Sequence, residues 1–249
     1  RSAAGSPTLR PPTPTATPVP PTPVPAVTIR RVQIVIPAYP YDAYTVEGEA
    51  GGVHFLKLDW DAYNAANVRP VGRAFEALVM ENQYLRLSIL PDLGGRIYEA
   101  IFKPTCHNMF YRNPVLKPTR WGHETQGWWL GAGGMEWCLP VEEHGYEWGT
   151  AWQYGIAQSA AATTVTVWNT QDADRLRARV AITLRDGDAF FTVAPRIENP
   201  TGQSVRYQFW LNAMLSSGGT NHVSEATEFI LPAGEVTVHS TGDRTLPQE

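Results

Sequence analysis

The densest set of ionisable side chains in the chain lies in Glu136-Trp137-Cys138-Leu139-Pro140-Val141-Glu142-Glu143-His144-Gly145-Tyr146. Carboxylates and an imidazole are the groups that move protons near neutral pH, which makes Glu136, Glu142 and His144 the candidate acid–base residues. If Val141 to His144 is extended, Glu142 and His144 share one face and Glu143 takes the other, because strand side chains alternate. That arrangement sets a carboxylate beside an imidazole. Glu136, Glu142 and His144 could ligate a metal, but no spacing demands one, and no cofactor is implied. Two planar donors lie upstream. Pro91-Asp92-Leu93-Gly94-Gly95-Arg96 is a tight turn delivering Arg96 to a strand start, and Arg112-Asn113-Pro114 follows a second candidate strand.

Aromatic residues crowd the same region. Six of the nine tryptophans fall between Trp121 and Trp152, interleaved with glycines from Gly122 to Gly149. Loops rich in both are poor at hiding surface, so Trp128, Trp129 and Trp137 are expected to line a groove. Flat aromatic faces beside a few fixed polar groups suit a sugar ring, whose C–H faces are apolar and whose hydroxyls need partners. The alternative is that these rings plug the end of a sandwich.

Several chemistries have no footing. Gly131-Ala132-Gly133-Gly134 is not a dinucleotide fingerprint, there is no P-loop and no nucleophile elbow, and His123-Glu124 lacks the second histidine of a zinc helix. The chain has 249 residues, with 24 acids against 20 bases. Arg1 and Arg10 lie in the first 25 residues, so the remainder carries 24 acids against 18 bases. An acidic body without a basic run argues against nucleic acid as a partner. No apolar stretch approaches the ~20 residues that span a bilayer, so no membrane insertion is expected within this chain. Cys106 and Cys138 lie outside any metal-type spacing; they could pair if the protein is exported, or stand as two buried free thiols.

The elements that must position these residues read as strands. Val32, Ile34 and Ile36 alternate, as do Leu85, Leu87 and Ile89, and Leu176 to Leu184 forms a longer run. Period two over such lengths marks half-buried antiparallel strand. Asp186-Gly187 then supplies a hairpin turn, with Ala189–Glu198 returning. Further strands are expected at Val165–Trp168, Val205–Leu215, Glu228–Leu231 and Glu235–Ser240, while Ala62–Ala74 holds at most a turn or two of helix. Short strands with turn signals about every ten residues indicate an all-β fold, a large antiparallel sandwich. Nine of the 21 prolines fall within residues 1–25, which reads as a disordered Pro/Thr linker of polyproline-II type, with one domain over residues 26–249. Such spacers suit an exported, cell-surface or extracellular domain, and the ending at Glu249 suggests that the sandwich is incomplete there.

Glu81-Asn82-Gln83-Tyr84-Leu85 with Leu90-Pro91-Asp92-Leu93-Gly94-Gly95-Arg96-Ile97 resembles the N-terminal signature of galactose mutarotase-like (aldose 1-epimerase superfamily) domains. Tyr111-Arg112-Asn113-Pro114 and the run from Gly133 to Tyr146 look like an uncharacterised bacterial branch that accompanies carbohydrate-active proteins. The resemblance implies a supersandwich with a sugar cleft on one sheet, in which Arg96 and His144-Gly145 match two cleft positions. It also implies an acid histidine on the strand Tyr207–Asn212, where this chain has Trp210 and Asn212, and a late general-base glutamate near or beyond Glu249. The expectation is a domain that binds a mono- or oligosaccharide. Arg96, Arg112, Asn113, Trp128, Trp129, Trp137 and Asn212 would contact the ligand, and Glu136, Glu142 and His144 would handle protons in epimerase-like or glycosidase-like chemistry. The alternative is a non-catalytic glycan-binding or spacer module of a larger secreted protein.

Overall fold

Alternating apolar residues organise the chain as expected, and a computed structural model shows how far that pattern extends. The structure describes residues 27–217 and, beyond them, 220–222, 225, 227–228, 230 and 232–235. The expected linker and most of the last expected strand lie outside these residues. Among the described residues there are fifteen strands: β1 Thr28–Ala38, β2 Thr45–Ala50, β3 Val53–Leu58, β4 Val71–Glu81, β5 Leu85–Leu90, β6 Arg96–Phe102, β7 His107–Asn108, β8 Pro118–Thr119, β9 Trp129–Leu130, β10 Met135–Cys138, β11 Gln153–Gln158, β12 Ala162–Trp168, β13 Arg177–Arg185, β14 Phe191–Glu198 and β15 Trp210–Ala213. The one α-helix among the described residues, α1 Trp60–Ala66, is capped by the Asp59 side chain and closed by Asn67 in the left-handed region.

All pairings between named strands are antiparallel. A seven-stranded sheet runs β1-β4-β5-β6-β10-β15 with β7 on β6, and a four-stranded sheet runs β11-β12-β13-β14. The two pack face to face through Leu85, Leu87, Ile89, Ile97 and Trp137 on one side and Val165, Val167, Val180, Ile182 and Leu184 on the other. This is the expected antiparallel sandwich. The opposite face of the large sheet is also buried, by a second apolar cluster. Phe75, Ala77, Val79, Leu90 and Tyr98 meet Tyr41, Leu58, Tyr63, Trp128 and Trp148 there. The cover over this face consists of the β2–β3 hairpin, α1 and the long loops that follow β7 and β10. With both faces of β4 buried, its Phe75–Met80 run is almost continuously apolar, which is why alternation does not reveal it.

A bulge between Ser88 and Ile89 sets Glu99 opposite Ser88 and Ile97 opposite Ile89. Tyr98 and Glu99 therefore both turn to the covered face: Tyr98 packs in the second cluster and Glu99 accepts from the Ser88 hydroxyl. Three expectations need correction. Within Val205–Leu215 only Trp210–Ala213 is strand, although Gln208 still donates its amide to the Pro140 carbonyl in the register of the β10–β15 ladder. Residues 228 and 230 are not strand. Cys106 and Cys138 are unpaired, and only Cys138 is buried.

Candidate functional site

Strand alternation sends Trp137 into the sandwich core and Glu136 and Cys138 to the covered face of the large sheet. Asn212 stands directly opposite Glu136 in the β10–β15 ladder. The Glu136 carboxylate is 1% exposed and surrounded by donors. One oxygen accepts from His144 Nδ1 at 2.7 Å and Asn212 Nδ2 at 2.9 Å. The other meets Arg96 Nη2 at 3.0 Å and Trp129 Nε1 at 3.4 Å. Burial alone would raise the Glu136 carboxyl, but the Arg96 charge and the hydrogen bonds from His144 and Asn212 outweigh it and hold the group below its ordinary value.

An ionised Glu136 fixes the imidazole. In a neutral imidazole, donation of Nδ1–H to the carboxylate leaves the lone pair on Nε2, which has no hydrogen-bond partner among the described residues. The Trp129 ring stacks on the imidazole at 4.1 Å and 16°. Trp210 flanks it at 5.9 Å. The His144 side chain keeps 16% exposure. A base oriented by a carboxylate, itself held by a buried arginine, has the logic of a hydrolase triad without its nucleophile.

Backbone conformation supplies His144. Glu143 and His144 have φ of 54° and 69°, so Val141–His144 is a turn, and the condition of an extended segment is not met. Glu142 is accordingly exposed and does not share a face with His144. It lines, with Glu143, Gln208, Phe209 and Trp210, an open groove of about 630 Å³. The turn is tied down on three sides: Tyr146 donates its amide to Leu139, Gly145 to Glu142, and His123 to Glu143.

The other expected contacts divide. Arg96 is 0% exposed and spends its donors on the Leu93, Gly133 and Trp148 carbonyls as well as Glu136, so it positions the site and cannot touch a ligand. Trp128 and Trp137 are buried, with their indole N–H groups on the Leu56 and Gly95 carbonyls. They are core residues, not groove walls. Trp129 and Asn212 belong to the His144 cluster. Arg112 and Asn113 lie in a separate cavity of about 370 Å³ with Tyr98, Glu99 and Asn221. There Arg112 pairs with Glu99. Sequence reasoning missed Glu99, because the bulge that aims it breaks alternation, and missed Trp210 as a wall of the groove.

A carboxylate, a thiol and an imidazole from Glu136, Cys138 and His144 come within 4.8 Å of one another. The group does not suit a cation. Arg96 and Trp129 already occupy one Glu136 oxygen and His144 and Asn212 the other, and burial, with the Glu136 charge added, pushes the Cys138 thiol above its ordinary range.

A family model described as Domain of unknown function (DUF5107) matches residues 58–248. Among solved structures, the chain is similar to a TPR-domain containing protein from Parabacteroides distasonis ATCC 8503, with 19% identity and a TM-score of 0.62 over 76% of this chain. The chain spans 32% of that protein's length. It also matches the structure titled HI1317, at 12% identity and a TM-score of 0.34, over 57% of this chain and 47% of that one.

Proposed function

The chain belongs to the DUF5107 family, and we propose that it binds a mono- or oligosaccharide outside the cytoplasm, with His144 as the proton-transfer group. The carrying observation is the Arg96–Glu136–His144 chain, which ends in an imidazole whose Nε2 has no partner among the described residues and whose ring lies 5.9 Å from that of Trp210, a wall of the groove. Trp210 offers an apolar face for a sugar ring, while Gln208, Glu142 and Glu143 offer partners for its hydroxyls. The resemblance to mutarotase-like domains supports the same reading.

In an epimerase-like reaction, Nε2 of His144 takes the anomeric hydroxyl proton as the C1–ring-oxygen bond breaks. Water in the open groove gives a proton to the ring oxygen, rotation about C1–C2 turns the aldehyde face, and the reverse steps close the ring. A second reading, a binding module without turnover, is favoured by one observation. Both Glu136 oxygens are fully engaged, leaving His144 alone of that cluster to move a proton.

Anomer exchange of aldoses and release of reducing ends from mixed polysaccharides, measured on the complete gene product, separate the two. His144→Ala and Trp210→Ala are each expected to weaken sugar binding at least tenfold while leaving the unfolding midpoint within a few degrees. Binding without turnover removes the enzyme reading. Unchanged affinity in both variants removes the site.

A further inference from the structure

The cavity of about 370 Å³ between the second half of β1, the start of β6 and the segment Arg112–Pro114 shares no lining residue with the His144 groove. The bulge in the β5–β6 ladder equips it, because it turns Tyr98 and Glu99, neighbours that alternation would separate, to one face. Ile34, Ile36, Pro37 and Pro114 give it apolar sides. Its frame is tied down. The Leu116 amide donates to the Pro37 carbonyl, and the Asn221 side chain brackets the Arg112 backbone, accepting from its N–H at 2.8 Å and donating to its carbonyl at 2.7 Å.

Three polar side chains line this cavity with bonding capacity left over. Tyr98 is only 5% exposed, yet its hydroxyl has no hydrogen-bond partner among the described residues and is not one of the polar atoms sealed from solvent. Its open side is therefore the cavity it lines. Burial pushes that hydroxyl up, so it stays an O–H that can both donate and accept. Glu99 accepts from the Ser88 hydroxyl on one oxygen and from Arg112 Nη1 on the other, which leaves each oxygen a second lone pair. Arg112 spends only Nη1 on Glu99. Its Nε and Nη2 have no partner among the described residues, on a side chain that is 46% exposed and so open to a ligand.

We propose that this cavity is a second binding site, for a neutral sugar ring held through two adjacent hydroxyls. Glu99 and Arg112 neutralise one another, so the cavity holds no surplus charge for an anion or a cation. What remains side by side is an acceptor, a forked donor and a hydroxyl that is both. Two neighbouring hydroxyls complement that set, since each donates one proton and accepts in return. One gives its proton to Glu99 and accepts from Arg112; the other exchanges a hydrogen bond with Tyr98. The ring's C–H face then meets the apolar sides. The volume lies at the lower end of the roughly 300–1,000 Å³ of small-molecule sites, which suits one ring. This inference stands on the cavity alone and asks for no turnover at His144.

The test is titration of the whole chain with the methyl glycosides of glucose, galactose and mannose, read by NMR through the ring signals of isotope-labelled tyrosine. At least one glycoside is expected to shift the Tyr98 signal saturably. The same shift is expected in His144→Ala, which keeps this site's outcome separate from that of the His144 groove. Arg112→Gln is expected to weaken that response at least tenfold. Tyr98→Phe removes one oxygen and keeps the ring; in the His144→Ala background it is expected to lower the affinity measured by calorimetry at least fivefold, with the unfolding midpoint within a few degrees. Cyclohexanol, a ring with a single hydroxyl, is expected to bind at least tenfold more weakly, and inorganic phosphate to leave the signal unmoved. A Tyr98 signal that no glycoside moves, that cyclohexanol or phosphate moves as readily, or that stops responding in His144→Ala overturns the assignment. Unchanged affinity in Tyr98→Phe or Arg112→Gln does the same.

Discussion

Arg96 and Glu136 are a buried ion pair, with side chains 0% and 1% exposed. Their desolvation is offset by hydrogen bonds to three carbonyls and three further donors, so removing one partner strands a charge. Arg96→Met or Glu136→Gln is expected to cost about 3–5 kcal/mol in urea unfolding, and the double change to Met less than the sum of the two. The two buried acids titrate in opposite senses. Glu136 is held below 4.5 in the folded chain, so its contribution is complete above that pH and is lost as the pH falls through its folded value. Glu147 is raised above 4.5 by burial, so its contribution is complete below 4.5 and is lost as the pH rises through its folded value. Unfolding free energies across pH 3–8 should therefore lose the acid-side slope in Glu136→Gln and the slope just above pH 4.5 in Glu147→Gln.

At the scale of elements, the turn from Leu139 to Tyr146 determines where His144 sits. Gly145 has φ 69°, and a Cβ there would come 2.2 Å from the Leu139 carbonyl oxygen. Gly187, in the β13–β14 hairpin, has φ 79° but nothing nearer than 4.0 Å. Alanine at Gly187 is expected to cost about 1–2 kcal/mol, the left-handed penalty alone, and at Gly145 clearly more, with loss of sugar binding. Thermal unfolding of the two variants checks the order. The hairpin was legible because Asp186-Gly187 joins two alternating runs in a sheet with one wet face. The turn was not, since a run of Val, Glu, Glu and His carries no signal for two successive residues of positive φ. Those angles are imposed by the amides tied to Leu139, Glu142 and Glu143. Arg96 was legible as important and misread in role, because a sequence shows a donor but not the carbonyls that consume it.

At the scale of the molecule, two apolar clusters share one sheet. The sandwich core is made by strands with long ladders, and the cover by a short helix, a separate hairpin and loops. Ile182→Ala in the first is expected to cost about 2–5 kcal/mol in global unfolding. Amides of β2 and β3 should exchange with solvent through a smaller opening than those of β5 and β13, as read by native-state hydrogen exchange. The sandwich was legible from alternation; the cover was not, because burying the second face of the sheet removes that very pattern.

The shared sheet also decides how the site can respond to its surroundings. Glu136 stands on β10 and His144 on the turn that follows it, so the 2.7 Å contact between them joins the large sheet to the loops that cover it. Whatever holds those loops from outside therefore also holds the imidazole against its carboxylate.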